Sequence, residues 1–200
     1  MYTTMTSYTL EPLHSRQDLI EDTVRLLKEE WPMCLAERLQ VVETPKCTGL
    51  PCSLVLIETR EGAKSEVLGH VRIVQVHPQC EQRVYIESVA IKRSRRNQGL
   101  GRKLHELIED YAKNCLGSRY LHVSVRSESN EEYYRCLGFE ECKQVTVIAP
   151  NVLRTFPHAR WSCQMIPDEW KFLYEGGEIV TKEEEDKEWI RRYVKDLYKA

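Results

Sequence analysis

The segment Val89-Ala90-Ile91-Lys92-Arg93-Ser94-Arg95-Arg96-Asn97-Gln98-Gly99-Leu100-Gly101-Arg102 constrains this chain more than any other. It opens as an apolar strand, passes through a basic turn with two glycines, and runs into residues of helical periodicity. The start of a helix leaves its first backbone N–H groups without intrahelical partners, and the helix dipole favours an anion there. Gly99 and Gly101 carry no Cβ, so a ligand can approach the main chain closely. The N–H groups from Gln98 to Lys103 can then fan around a pyrophosphate. Arg93, Arg95, Arg96, Arg102 and Lys103 add positive charge. Each exposed helix-terminus contact gives only about 0.3–1 kcal/mol, so several must act together. A Rossmann fingerprint is incomplete here, because Leu104 stands where its third glycine belongs. The G-K-[ST] of a Walker loop is absent too.

The flanking sequence predicts the frame for this turn. Residues 8–13 alternate as a strand, and Leu19, Ile20, Val24, Leu26, Leu27 and Trp31 recur at helical spacing over 17–31, which Pro32 ends. A shorter helix is expected over 35–42, followed by a loop over 45–51. Residues 53–58, 67–77 and 83–92 read as three strands joined by short links, an antiparallel meander. After the turn, 100–116 is an amphipathic helix, 120–125 a strand, and 130–136 a short helix. Two closing strands are expected over 145–148 and 161–166, around a loop at 149–158. The order implies an α/β (α+β) layer with a mixed, mostly antiparallel sheet flanked by helices. Residues 1–166 form the expected domain. After Pro167 the composition shifts, and Trp189, Tyr193, Leu197 and Tyr198 predict an appended amphipathic C-terminal helix within 167–200.

Composition narrows the function classes. With 200 residues, 42% of them hydrophobic, the chain can bury one sizeable core. Charged residues make up 30% but the net charge is −2, which argues against a general nucleic-acid binder. No apolar run reaches the roughly 20 residues of a membrane helix. None of the eight cysteines forms a C-x-x-C pair and no His pair has zinc-ligand spacing, so reduced structural thiols, no metal and a cytosolic protein are expected.

Arg96-x-x-Gly99-x-Gly101 resembles the acetyl-CoA signature of the GNAT superfamily of N-acetyltransferases, and Tyr133-Tyr134-Arg135-Cys136-Leu137-Gly138-Phe139 resembles a second family element downstream. The resemblance covers residues 8–166 and implies a GNAT fold with acetyl-CoA as co-substrate. It implies that the backbone of Val89, Ala90 and Ile91 binds the pantetheine arm and acetyl carbonyl, and that Arg96, Asn97, Gln98, Gly99, Leu100, Gly101 and Arg102 hold the pyrophosphate. Asn130 joins the coenzyme-binding set, and Tyr134 is expected to protonate the departing thiolate. The implied reaction is direct attack of an amine on the thioester, without an acyl-enzyme.

The attacking amine must be neutral. An α-amine has a pKa of about 7.7–8.0 against about 10.4 for lysine, a gap worth about 3.5 kcal/mol. Glu87, two residues before Val89, and His122, on the next strand, are the candidate bases, each through a water. Tyr120-Leu121-His122-Val123 resembles the corresponding strand of eukaryotic N-terminal acetyltransferases, and Tyr85 matches a catalytic tyrosine of that group. Each of these residues also has a plain structural reading, as packing or as a satisfied buried polar group. Leu10-Glu11-Pro12-Leu13-His14, Trp31-Pro32 with Arg38-Leu39, Gly69-His70-Val71-Arg72 and Glu87-Ser88-Val89 resemble the N-terminal acetyltransferases that act on actin. That resemblance implies a protein substrate with an acidic N-terminus such as actin's, bound by Arg38, Ile86, Glu87 and Ser88, with Met33 where a second groove arginine would stand. Arg72, Arg126, Arg154 and Arg160 are further candidates for the mouth of the groove. A monomer is expected. A lysine or small-molecule amine as acceptor, and a GNAT-like binding module without catalysis, remain alternatives.

Overall fold

The computed structural model describes residues 6–31, 50–75, 82–125, 127–142 and 191–199. The elements are β1 (Thr6–Pro12), α1 (Ile20–Glu30), β2 (Cys52–Arg60), β3 (Glu66–Gln75), β4 (Arg83–Ile91), α2 (Leu100–Asn114), β5 (Tyr120–Val125), α3 (Glu128–Cys136), β6 (Glu140–Glu141) and β7 (Arg191–Asp196). Short 3-10 turns at Leu13–Ser15, Gln17–Leu19 and Arg93–Arg95 join them. The strands form one seven-stranded mixed sheet in the order β1-β2-β3-β4-β5-β7-β6. β1 and β2, β2 and β3, β5 and β7, and β6 and β7 pair antiparallel, while β4 and β5 pair parallel.

The chain divides into two compact units. The first takes Met1–Val74 with Ile86–Leu116, the second Gln75–Tyr85 with Gly117–Ala200. In the first unit, α1 turns Val24, Leu26 and Leu27 onto Leu13, Leu19, Val55, Ile57, Val67 and Ala90. Fully burying a Leu or Val contributes about 1.5–3 kcal/mol, so this cluster carries much of the unit's stability. β2 is buried without interruption from Cys52 to Glu58, and β3 from Val67 to Val74. Burial on both faces is what turns these strands into continuous apolar runs instead of alternating ones. The exceptions are Ser53, Glu58, Gly69, His70 and Arg72.

In the second unit the tail departs from the helix expected there. Residues 191–196 are a strand, β7, which pairs with β5 from Tyr120↔Asp196 to Val125↔Arg191 and with β6 at Glu140↔Val194 and Glu141↔Tyr193. Tyr193 falls within β7 and Leu197 just after its end, so their four-residue spacing crosses a strand end and marks no helix turn. Tyr193 is fully buried, and its Val194 neighbour favours a sheet. The expected helix over 35–42, most of the loop over 45–51, the closing strands at 145–148 and 161–166, and Arg38, Arg126, Arg154, Arg160 and Trp189 lie outside the described residues.

Candidate functional site

In the first unit, β4 ends at Ile91 and the chain turns through Arg93–Arg95 to Gly99, which caps α2 in the left-handed region at φ 77°. Asn97 is left-handed too, at φ 61°. A side chain at position 99 would be strained by φ alone, since no atom lies within 4 Å of where its Cβ would sit. The first helical hydrogen bond runs from Lys103 N–H to Gly99 O at 3.1 Å. The amides of Leu100, Gly101 and Arg102 precede it and have no intrahelical acceptor. Leu100 buries its side chain while Asn97, Gln98, Gly99 and Arg102 are exposed. The turn therefore presents an array of main-chain donors at the positive end of a 15-residue helix, a fit for a pyrophosphate.

The arginines around the turn divide by role. Arg95 is structural: its Nη2 donates to Glu58 at 2.8 Å, its Nη1 to Glu66 at 2.9 Å, and its Nε to Gln98 at 3.3 Å. Glu58 also accepts from Tyr8 Oη at 3.0 Å and pairs with Arg60 at 2.7 Å. Lys92 pairs with Glu66 at 2.6 Å. Arg96 donates through Nε to Ile91 O at 3.1 Å and through Nη2 to Glu30, and Arg93 also donates to Glu30, at 3.0 Å. Arg102 is exposed, and Lys103 contacts Glu106 at 3.5 Å. These carboxylate partners were not legible from sequence, because Glu30, Glu58 and Glu66 are between 26 and 66 residues from Lys92, Arg93, Arg95 and Arg96, the bases of the turn that they meet.

On β4, Ile86 is fully buried, Glu87, Ser88, Val89 and Ile91 are half-buried, and Ala90 is buried. Ser88 has φ 51°, left-handed for a residue with a side chain. Glu87 pairs with Arg72 of β3 at 3.7 Å. Burial pushes the Glu87 carboxyl above its ordinary range, and Arg72 opposes that. Arg72, expected at the mouth of a groove, has no exposed surface. Burial lowers it to about 10, with Glu87 acting the other way. Its charge thus faces Glu87 and not an external peptide. His70 was not singled out as a functional residue. A His directly after Gly69 in a buried strand was the available signal.

The second unit brings Tyr85, His122 and Tyr134 into one compact body. β4 and β5 pair in register at Arg83↔Tyr120, Val84↔Leu121 and Tyr85↔His122. His122 is buried, and Arg83 Nη1 lies 3.3 Å from its Nε2. Arginine only donates, so Nε2 accepts and the proton sits on Nδ1. Among the described residues Nδ1 has no hydrogen-bond partner. Burial, then the Arg83 charge, lowers His122 to about 4, so it is neutral at pH 7. Tyr134 is buried on α3, edge-on to Tyr133 and Phe139 with ring centroids 5.4 and 5.3 Å away. Burial, reinforced by Tyr133 and Tyr85, holds its phenol well above the ordinary value, so it stays protonated. Asn130 is exposed in the first turn of α3, its N–H bonded to Ser127 O at 3.1 Å. Among the described residues no group of His, Cys, Asp and Glu comes together to hold a metal.

A family model described as "Acetyltransferase (GNAT) family" matches residues 17–139. The mouse (Mus musculus) protein N-alpha-acetyltransferase 80 is 31% identical over 150 residues, 70% of this chain and 46% of that protein. The chain thus spans less than half the length of that relative. A mutant spermidine N-acetyltransferase from Vibrio cholerae superposes with a TM-score of 0.59 over 95% of this chain and 94% of its own, at 14% identity. An aminoglycoside N-acetyltransferase in complex with CoA superposes with a TM-score of 0.55 over 72% and 93%, at 18% identity. The ribosomal-protein-S18-alanine N-acetyltransferase of Escherichia coli gives 0.50 over 68% and 80%, also at 18% identity. At these identities the solved structures speak for the fold.

Proposed function

The chain belongs to the Acetyltransferase (GNAT) family, and we propose that it is an acetyl-CoA-dependent Nα-acetyltransferase acting on acidic protein N-termini such as that of actin. The observation that carries the reading is the run of amides from Leu100 to Arg102 without intrahelical acceptors, ahead of the first helical hydrogen bond at Lys103. Asn97, Gln98 and Gly99 lead into that array, Arg96 and Arg102 add charge, and the main chain of Val89, Ala90 and Ile91 takes the pantetheine arm. Acetyl-CoA, when bound, supplies the acetyl group as a thioester.

Glu87 accepts the proton of the attacking amine, directly or through a water. Its raised affinity for a proton suits that role, and the nearby Arg72 charge opposes the rise. His122 is the weaker candidate, because Arg83 occupies the nitrogen that accepts. Tyr134 donates its phenolic proton towards the departing sulfur. Tyr85 stands opposite His122 in the β4–β5 register, beside the second candidate base. The preference for an α-amine follows from its pKa, about 2.5 units below that of lysine, which demands less of the base. The acidic acceptor rests on the sequence resemblance around Arg38, and the α-amine also on 31% identity to a protein named for Nα-acetylation.

A peptide panel tests the reading. With acetyl-CoA, peptides beginning with Asp or Glu are expected to be acetylated faster than neutral N-termini, internal lysines and spermidine. Faster turnover of lysine or spermidine than of every acidic peptide refutes the acceptor. Absence of any coenzyme binding refutes the enzyme.

A further inference from the structure

Strand β3 carries Gly69-His70 in the middle of a buried run, and both residues act on β4. His70 is fully buried, and its Nδ1 lies 2.9 Å from Ser88 O. A carbonyl oxygen only accepts, so Nδ1 carries the proton and donates. Ser88 is the residue at φ 51°, a conformation that a side chain disfavours and that persists only where neighbours enforce it. Gly69 lies so close to β4 that a Cβ there would stand 2.8 Å from Ile91 Cδ1 and 2.9 Å from Ala90 O. β3 therefore meets β4 on either side of Val89, through a hydrogen bond at Ser88 and a close approach at Ala90 and Ile91.

We propose that His70 is a positioning residue: its Nδ1–H bond to Ser88 O holds β4 in the left-handed bend that presents the Val89–Ile91 main chain to the pantetheine arm of the coenzyme. The proposal rests on the coenzyme reading above and deepens it. His70 reaches the ligand only through Ser88. Its loss is felt by the pantetheine arm and not by the phosphates, which the separate turn at 96–102 receives.

The test is calorimetric titration of the full chain with CoA and with 3′-phospho-ADP, the part of CoA that lacks pantetheine. His70→Leu removes the donor. His70→Asn offers an amide N–H near the place of Nδ1. His70→Leu is expected to weaken CoA binding about tenfold and to leave 3′-phospho-ADP within about twofold, the size of one lost hydrogen bond. His70→Asn is expected to recover most of the loss. Should His70→Leu fail to fold, the double variant with Ser88→Gly takes its place, because glycine adopts φ 51° without a pin. The proposal is overturned if His70→Leu binds CoA like wild type, if both ligands weaken in parallel, if His70→Asn is no better than His70→Leu, or if the double variant also fails to fold. A wild-type chain that binds neither ligand refutes the coenzyme reading itself. Wild-type binding with an indifferent His70→Leu sinks only the role of His70.

Discussion

Glu30 Oε1 accepts hydrogen bonds from both Arg93 and Arg96, so one carboxylate at the end of α1 holds two of the cations of the basic turn. A phosphate held by the same arginines, as proposed for the coenzyme, would compete with that oxygen for their N–H groups. Glu30→Gln removes the charge and keeps the shape. It is expected to tighten CoA binding about threefold at low ionic strength, with the gain shrinking as salt screens the turn. Titrations at two salt concentrations check this. Weaker binding by the variant would mean that Glu30 organises the arginines more than it competes for them.

Glu58 is 3% exposed and gathers Tyr8, Arg60 and Arg95 around it. The Arg95 hydrogen bond, helped by Tyr8 and working against burial, holds its carboxyl below the ordinary range. A depressed folded pKa gives stability that is present above the unfolded value of about 4.3 and is lost as pH falls through the folded one. Glu58→Gln is expected to cost roughly 2 kcal/mol at pH 7 and less at pH 3.5. Urea unfolding at the two pH values measures the difference. An equal cost at both would show that the charge contributes nothing.

His122 has the opposite charge logic and the same direction in pH. Its folded value of about 4 lies below the ordinary 6.5, so the unfolded chain binds the proton first. Its contribution to stability is complete above pH 6.5 and declines as pH falls towards 4, by at most about 1.4 kcal/mol per pH unit. His122→Gln, which does not titrate, is expected to flatten the stability profile between pH 7 and 4.5. A profile as steep as that of wild type would place the titrating group elsewhere.

Tyr134→Phe keeps the ring that packs against Tyr133 and Phe139 and removes the hydroxyl that would supply the proton. Turnover of an acidic peptide is expected to fall about a hundredfold, while CoA affinity stays within about twofold. Unchanged turnover would assign Tyr134 to the core alone.

Much of the fold was legible because local rules and tertiary structure agree. Gly99, with φ 77°, sits where the strand-to-helix turn needs it, and the periodicity over 100–116 foretold α2 at Leu100–Asn114. β2, β3 and β4 followed from their apolar runs. Residues 191–196 are a strand where a helix is expected because a few apolar residues at four-residue spacing do not by themselves tell the two apart, and only the open side of β5 resolves the ambiguity. Arg72 is not an external cation because β3 is buried on both of its faces, which a charged residue in the sequence does not foretell.

By itself the sequence determined the corner proposed to hold the pyrophosphate, since left-handed glycine, helix-start amides and helix dipole are local properties of a dozen consecutive residues. Only the tertiary structure decided which charges remain available there. Glu30, Glu58 and Glu66 come from distant segments, and ion pairs form by proximity in space, whatever the separation along the chain. The bend at Ser88 is likewise a tertiary product, because a serine adopts φ 51° in β4 where His70 of the neighbouring strand holds its carbonyl.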